Sequence, residues 1–411
     1  MSKLDELIQE LCPNGVEYRK LEDCCTVLDK KRKPVTKAAR EAGEYPYYGA
    51  NGIQDYVSDY IFDGIFVLVG EDGSVITKAG TPVVTWAEGK IWVNNHAHII
   101  EGTDDVLLRY LFHYIQTICV TPLIHGNIPK LTGRDFRALQ IPVPPLEVQR
   151  EIVRILDSFM LLTAELTAEL TARKKQYEYY RDNLLTFDDQ IRRKPLGDVI
   201  VSLNTGLNPR QFFTLNTDDA QNYYVTIREI QNGTIVVSEK TDRINDEALR
   251  LCNNRSNLEV GDVLFSGTGT IGETAVISEP PHNWNIKEGV YTIKPKKDML
   301  NSRYLMYILR TDFMKTAIAK KVAGGTVKSI PMAEVKKLQL PVPPLNVQER
   351  LVNVLDNFDA ICSDLNIGLP AEIDARQKQY EFYRDLLLTF AETGIIIAQT
   401  NKQTNKQTGH N

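Results

Sequence analysis

Three things are scarce in this chain: charge of one sign, spaced cysteines and long apolar runs. Each scarcity removes a class of function. Its 48 Lys and Arg face 53 Asp and Glu, a formal net charge of −5, so it does not coat nucleic acid by bulk charge. Six cysteines form no CxxC pair and no framework spacing, which argues against a zinc ribbon or a disulfide scaffold and fits a reducing cytoplasm. Cys24 and Cys25 are adjacent and read as two ordinary thiols. No apolar run approaches the roughly 20 residues that span a bilayer, and the opening MSKLDELIQELCPNG is polar and acidic, unlike a secretory signal. The expectation is a cytoplasmic chain that does not engage membrane.

Catalytic motifs are equally scarce. There is no Walker loop, no G-x-S-x-G elbow, no H-E-x-x-H pair, no Asn-Pro-Pro-aromatic stretch and no convincing nuclease carboxylate cluster. GTGTIG at 267–272 matches G-x-G-x-x-G, but ETAVISEPP follows it where a dinucleotide loop must open a helix; it reads as a hairpin tip. His96 and His98 lie two apart in NNHAHII, so a strand would put both on one side, as metal ligands need. The second half offers EGVYTI at the comparable place, without histidine, and structural or DNA-contacting roles are favoured. We expect no catalytic residue, no metal and no cofactor on this chain.

What is present is repetition. LQIPVPPLEVQREIVRILDSF begins at Leu139, and LQLPVPPLNVQERLVNVLDNF at Leu338; ARKKQYEYYRDNLLTF then follows from Ala172, and ARQKQYEFYRDLLLTF from Ala375. The offset is 199 residues at the first pair and 203 at the second, so the second copy holds about one extra helical turn, near Gly368–Pro370. LIQELCPNGVEYRKLEDC near the N-terminus resembles NLLTFDDQIRRKPLGDV, which makes the chain two units joined nearly in a circle.

Before each doubled sentence lies a globular stretch rich in short β-type runs. In the first these are GIFVLVG, GTPVVTW and KIWVNNHAHII; in the second, NYYVTIREI, GTIVVSE, GDVLFSG and GVYTIKP. Short helical patterns follow at Leu108 and Ser302. Pro145 and Pro344 suit the first turn of a helix, where a missing N–H costs nothing. Each helix then runs about 40 residues. Its seam is Ile152, Ile155, Phe159, Leu162, Leu166, Leu170, Tyr177, Tyr180, Leu184 and Phe187 in the first copy. In the second it is Leu351, Val354, Phe358, Ile361, Leu365, Ile373, Tyr380, Tyr383, Leu387 and Phe390. Seams of this period bury themselves against another helix. The two helices are expected to pack on each other through Ile152, Phe159, Leu166, Tyr177, Tyr180, Leu351, Phe358, Leu365, Tyr380 and Tyr383.

The fold class is therefore α+β: two β-rich α/β domains separated by two long antiparallel helices in a coiled coil, with a pseudo-twofold repeat. The expected parts are domain 1 at 1–145, a central helix at 146–187, domain 2 at 188–344, a distal helix at 345–390 and a disordered tail at 391–411.

The doubled proline-to-helix sentence, with TAELTAEL from Thr163 to Leu170, resembles the specificity (HsdS) subunits of type I restriction–modification enzymes over residues 1–390. TAEL stands in the first helix alone, and the second has NIGLPAEI. The resemblance implies two target-recognition domains, each reading half of a split site on double-stranded DNA. It implies helices that set the spacing and dock two modification (methyltransferase) subunits, with restriction (motor-nuclease) subunits joining to cleave. S-adenosylmethionine, Mg and ATP would sit on those partners. Two alternatives compete: a duplicated-domain single-chain DNA methyltransferase or nuclease, and a coiled-coil scaffold that binds no DNA.

Phosphate contacts need Lys and Arg, while base edges favour Arg on guanine and Asn or Gln on adenine. In domain 1 the expected DNA contacts are Lys31, Arg32, Lys33, Tyr48, Asn51, Lys78 and Lys130. In domain 2 they are Asn208, Arg210, Gln211, Arg228, Thr268, Thr270 and Lys328.

Overall fold

A computed structural model describes residues 3–73, 75–125, 129–188, 191–324, 327–363 and 368–393. The chain divides into two compact units. Unit 1 takes the first 165 residues and the segment that begins at Ile373; unit 2 runs from Leu166 to Glu372. Each unit thus contains a β-rich domain and two helical segments from distant parts of the sequence.

Unit 1 opens with helix α1 (Lys3–Leu11), which buries Leu4 and Ile8. Its main sheet has six strands in the order Thr26–Val27, Ala97–Glu101, Phe62–Gly70, Val84–Val93, Ala42–Gly49, Gly52–Val57. Val67, Leu68 and Val69 at its centre are buried, as expected of a continuous apolar run covered on both faces. Helix α2 (Leu108–Ile115) buries six of its eight side chains. Unit 2 carries a four-stranded antiparallel sheet, in the order Ile200–Thr205, Val290–Pro295, Val263–Ser266, Thr274–Val276. A three-stranded sheet of Arg243–Ile244, Asn222–Val225 and Trp284–Ile286 lies beside helix α4 (Asp246–Ser256). Helices α5 (Ser302–Leu309) and α6 (Asp312–Ala319) complete the domain.

The PVPPL sentence closes each domain onto its helix through the same bonds twice. Glu17–Lys20 pairs antiparallel with Gln140–Val143, as Arg193–Pro195 does with Gln339–Pro341. Tyr110 donates its hydroxyl to the Pro142 carbonyl, and Tyr304 to that of Pro341. Helix α3 (Leu146–Leu184) and helix α7 (Leu345–Ser363) follow. The fully buried Gln149 accepts from the Leu107 amide and donates to the Asp105 and Pro144 carbonyls. Gln348 repeats this with the Asn301 amide and the Met299 and Pro343 carbonyls. Each junction offers one main-chain donor and two main-chain acceptors, which a side-chain amide satisfies together because it carries both donor and acceptor.

A second network ties helix to domain. In unit 1 the Asp157 carboxylate accepts from Arg109 and from His113 Nε2, each at 2.8 Å, and His113 Nδ1 lies 3.1 Å from the Tyr380 hydroxyl. In unit 2 the Asp356 carboxylate accepts from Arg303 at 2.8 Å and from the Tyr307 hydroxyl at 2.6 Å.

The distal segment differs from the single helix expected over 345–390. α7 stops at Ser363 and helix α8 runs Leu369–Thr393, with Pro370 in its first turn. Proline at that place lacks only an N–H that would be unpaired anyway. Leu365 and the tail from 394 lie outside the described residues. In unit 1, Ile152 and Leu156 share a core with Tyr380, Leu387 and Leu388, and Phe159 stacks on Tyr383 at 5.2 Å. In unit 2, Tyr180 stacks on Phe358 at 6.0 Å, and Tyr177, Leu355 and Cys362 share the core. The expected seam over α7 is displaced by one residue: Val354 and Ile361 are exposed, while Leu355 and Cys362 are buried. Each helix packs on its own domain as well as on another helix, so its buried face is wider than a coiled-coil stripe. Leu166 is half-buried.

Candidate nucleic-acid interface

In domain 1 the residues picked for DNA contact divide into three groups. Tyr48 is a core residue of the six-stranded sheet, packed with Phe62, Ile91 and Val93, and burial raises its phenol pKa. Its backbone carbonyl instead accepts from the Asn94 amide, which joins the end of this strand to the turn after Val93. Arg32 is 13% exposed and its guanidinium is committed internally, at 2.6 Å to Glu71 Oε2 and 2.7 Å to the Ala97 carbonyl. These two corrections share a reason: a basic or aromatic residue beside a loop is drawn inward wherever a buried acceptor or apolar sheet face awaits it.

The remaining residues are at the surface. Lys31 and Lys33 are exposed on either side of Arg32, and Lys33 is fastened by its main chain to Trp92 and Val93. Asn51 is exposed on the turn between the two strands that carry Tyr48 and Gln54, and Gln54 accepts from Asn94. Lys130 joins the same cluster through Glu71 at 3.2 Å. Lys78 stands apart, on a 77–81 turn that bonds to Val120.

His96 and His98 do not act as a pair. His96 is nearly half exposed and bonded to Asp72, whereas His98 is buried between Asp29 (2.8 Å) and the Leu131 carbonyl (3.0 Å), stacked on Phe136. The strand begins only at Ala97, so no alternation relates the two rings. Asp29, Glu71 and His98 bring ligand atoms within 4.8 Å of one another, but Arg32 and Lys130 already supply cations to both Glu71 oxygens. Burial would raise the Asp29 pKa, yet the His98 hydrogen bond, nearby charges and the Ile99 amide hold it below the ordinary value. The cluster is an ion-pair network that braces the 29–33, 71–72, 94–98 and 130–131 loops.

In domain 2 the chosen residues gather more closely. GTGTIG turns between Val263–Ser266 and Thr274–Val276, with Gly269 and Gly272 at positive φ. Thr270, exposed on that tip, accepts from Ser266 Oγ through its carbonyl. Gly269 donates to the Lys328 carbonyl, and Thr268 bridges Ser329. A shallow cavity of about 280 Å³ joins Arg228 and Thr268 with Thr226, Asp242, Lys287 and Glu288. Arg228 donates to Asp242 at 2.9 Å and Asn208 to Glu288 at 2.9 Å, so both reach the same rim. The Asn208 oxygen also caps Pro209–Phe212, on which Arg210 and Gln211 are exposed. Lys328 lines a second cavity of about 420 Å³ with Lys315 and the Gly269–Gly272 tip. Lys287 and Lys315 line these two cavities without having been among the residues expected from the sequence; Lys287 stands in a glycine turn before a strand.

The Type I restriction modification DNA specificity domain matches this chain twice, over residues 13–173 and 191–375, each match taking in one domain and part of a long helix. A putative type I restriction enzyme specificity subunit of Haemophilus influenzae is 36% identical over 388 residues, 92% of this chain and 96% of that one. The EcoR124I/EcoR124II specificity subunit of Escherichia coli is 32% identical over 314 residues, 72% and 75% of the two chains. A chain in a solved structure of a type I restriction–modification system shares the fold, with a TM-score of 0.54 at 17% identity over 92% of this chain and 98% of that one. On the double match and these relatives, the chain belongs to the type I restriction–modification specificity family.

Proposed function

We propose that this chain is the DNA sequence-specificity subunit of a type I restriction–modification complex. Each β-rich domain reads one half of a bipartite site on double-stranded DNA, through the Lys31, Lys33, Asn51 and Lys130 surface in domain 1 and the 208–211, 228, 268–270 and 328 surface in domain 2. The long helices set the gap between half-sites and dock two modification subunits. Those subunits hold S-adenosylmethionine and methylate adenine; restriction subunits supply the ATP- and Mg-dependent cleavage. The chain itself contributes recognition, without catalysis, and its substrate and partners assign it to the cytoplasm. The observation that carries this reading is the double family match, one match to each unit of the internal repeat. Sequencing methylated adenines in cells that express the chain with its modification subunit tests it. One bipartite motif, absent without this chain, is expected; methylation independent of the chain overturns the reading.

A further inference from the structure

The GTGTIG stretch opens no helix; a strand, Thr274–Val276, follows it. Its backbone is fastened on several sides. Gly267 donates to the Gly289 carbonyl at 2.7 Å and accepts from the Ile330 amide at 2.9 Å, and a side chain there would run into the Tyr291 ring. Gly269 donates to the Lys328 carbonyl, and Gly272 to that of Ser266. The tip is therefore a fixed wall between two cavities. Thr268 lines the one of about 280 Å³, while Gly269, Ile271 and Gly272 line the one of about 420 Å³.

The two cavities differ in their charges. In the larger, Lys315 and Lys328 are the only charged residues of the lining among the described residues, beside apolar Ile271, Ile318 and Val322. Asp312 lies 3.4 Å from Lys315, but both side chains are more than half exposed and such a pair is weak. Two ammonium groups beside an apolar wall suit a phosphate and its sugar, a contact that carries no sequence information. The smaller cavity has cations and carboxylates together, Arg228 and Lys287 with Asp242 and Glu288. Such a mixture suits a base edge, which presents donors and acceptors in a set pattern.

Arg228 is held ready for that edge. Its Nε donates to Thr226 Oγ1 at 3.3 Å and its Nη2 to Asp242 at 2.9 Å. Thr226 is anchored in turn by its bond to the buried Glu229. These bonds fix the guanidinium plane from one side, yet the side chain is 60% exposed, and Nη1 makes no hydrogen bond among the described residues. A planar fork held this way matches guanine O6 and N7, and little ordering is left to do on binding.

We infer that Arg228 reads the guanine of a G·C pair in the half-site of domain 2, while Lys315 and Lys328, across the glycine tip, seat a backbone phosphate. The inference rests on the proposed function and deepens it by naming a base and by separating readout from grip. The test uses the full chain with its modification subunits, with motifs read by methylome sequencing and affinity by titration over a range of salt. Arg228→Ala should let other bases replace one G·C pair in one half of the motif, with about a ten-fold or greater loss of affinity on the parental site. The other half should stay intact. Arg228→Gln should shift the same position toward adenine, which a side-chain amide matches. The Lys315→Ala and Lys328→Ala double variant should keep the motif and weaken binding to cognate and unrelated DNA alike, flattening the salt slope by about two. Unfolding midpoints should match the parent, since all three side chains are exposed. An unchanged motif in the Arg228 variants, or relaxation at an A·T pair, overturns the readout. Relaxed bases or an unaltered salt slope in the double-lysine variant overturns the phosphate seat. Both outcomes leave the proposed function standing, whereas a parent chain that directs no motif of its own overturns that function and the inference together.

Discussion

Gln149 and Gln348 show how a residue repeated in sequence earns its place by its bonds. Replacing Gln149 with Ala removes the partner of the buried Pro144 carbonyl and of the part-buried Leu107 amide and Asp105 carbonyl. A buried unpaired polar group costs about 1–3 kcal/mol, so a loss of roughly 3 kcal/mol is expected in urea unfolding. Gln348→Ala should behave alike in unit 2, and a loss under about 0.5 kcal/mol in either would contradict the clamp. His113 is the second residue with a clear consequence. Burial lowers its pKa, against the raising effect of the Asp157 hydrogen bond. Burial raises that of Asp157, but the bonds from His113 and Arg109 outweigh it and leave the carboxylate low. The neutral ring therefore donates from Nε2 to Asp157 and accepts the Tyr380 hydroxyl at Nδ1. Above the ordinary imidazole value of about 6.5, His113 is neutral folded and unfolded, and its contribution is level. As pH falls through that value the unfolded chain takes up the proton more readily, and stability drops until the folded ring also titrates. The fall in urea midpoint between pH 7.5 and 5.5 should be smaller in His113→Gln than in the parent; equal slopes would remove His113 from the account.

At the scale of elements, α3 is a single helix of 39 residues that runs unbroken through TAELTAEL. Adding one TAEL after Leu170 supplies about 6 Å of rise and about 40° of rotation beyond a full turn. One DNA base pair is about 3.4 Å and about 35°, from a turn of 10 to 10.5 pairs. The twist matches one pair and the rise lies between one and two, so the gap between half-sites is expected to widen by one base pair. Ala, Glu and Leu favour helix, and the new Leu stays on the Leu162–Leu166–Leu170 stripe. Methylome sequencing reads the spacing directly, and methylation at the original spacing would falsify the ruler.

For the molecule as a whole, two domains with separate cores should be separable readers. Exchanging residues 12–140 for the matching segment of another family member should change one half-site and preserve the other, because the Leu139 and Leu338 junctions are nearly alike. Altered bases in both halves would defeat independent reading. A net charge of −5 also predicts weak DNA binding by the chain alone. Affinity should rise strongly when modification subunits are added, with a steeper salt dependence as more phosphates are neutralised. Equal affinity and equal salt slope with and without them would refute this.

The repeat, the proline entry to each helix, the strand-rich domains and the extra turn near Gly368 were legible in the residues because each is local. Proline geometry, apolar period and turn chemistry act over a few positions. Family resemblance was legible for the same reason, carried by PVPPL and TAEL. What tertiary structure alone decided was which face each side chain turns inward. Tyr48 and Arg32 carry the chemistry of DNA contact, yet a sheet core and the Glu71 carboxylate claim them. Leu355 replaced Val354 in the buried seam because α7 meets its own domain as well as another helix. Burial depends on partners hundreds of residues away, and His113 meeting Tyr380 across 267 positions is a contact that no local pattern specifies.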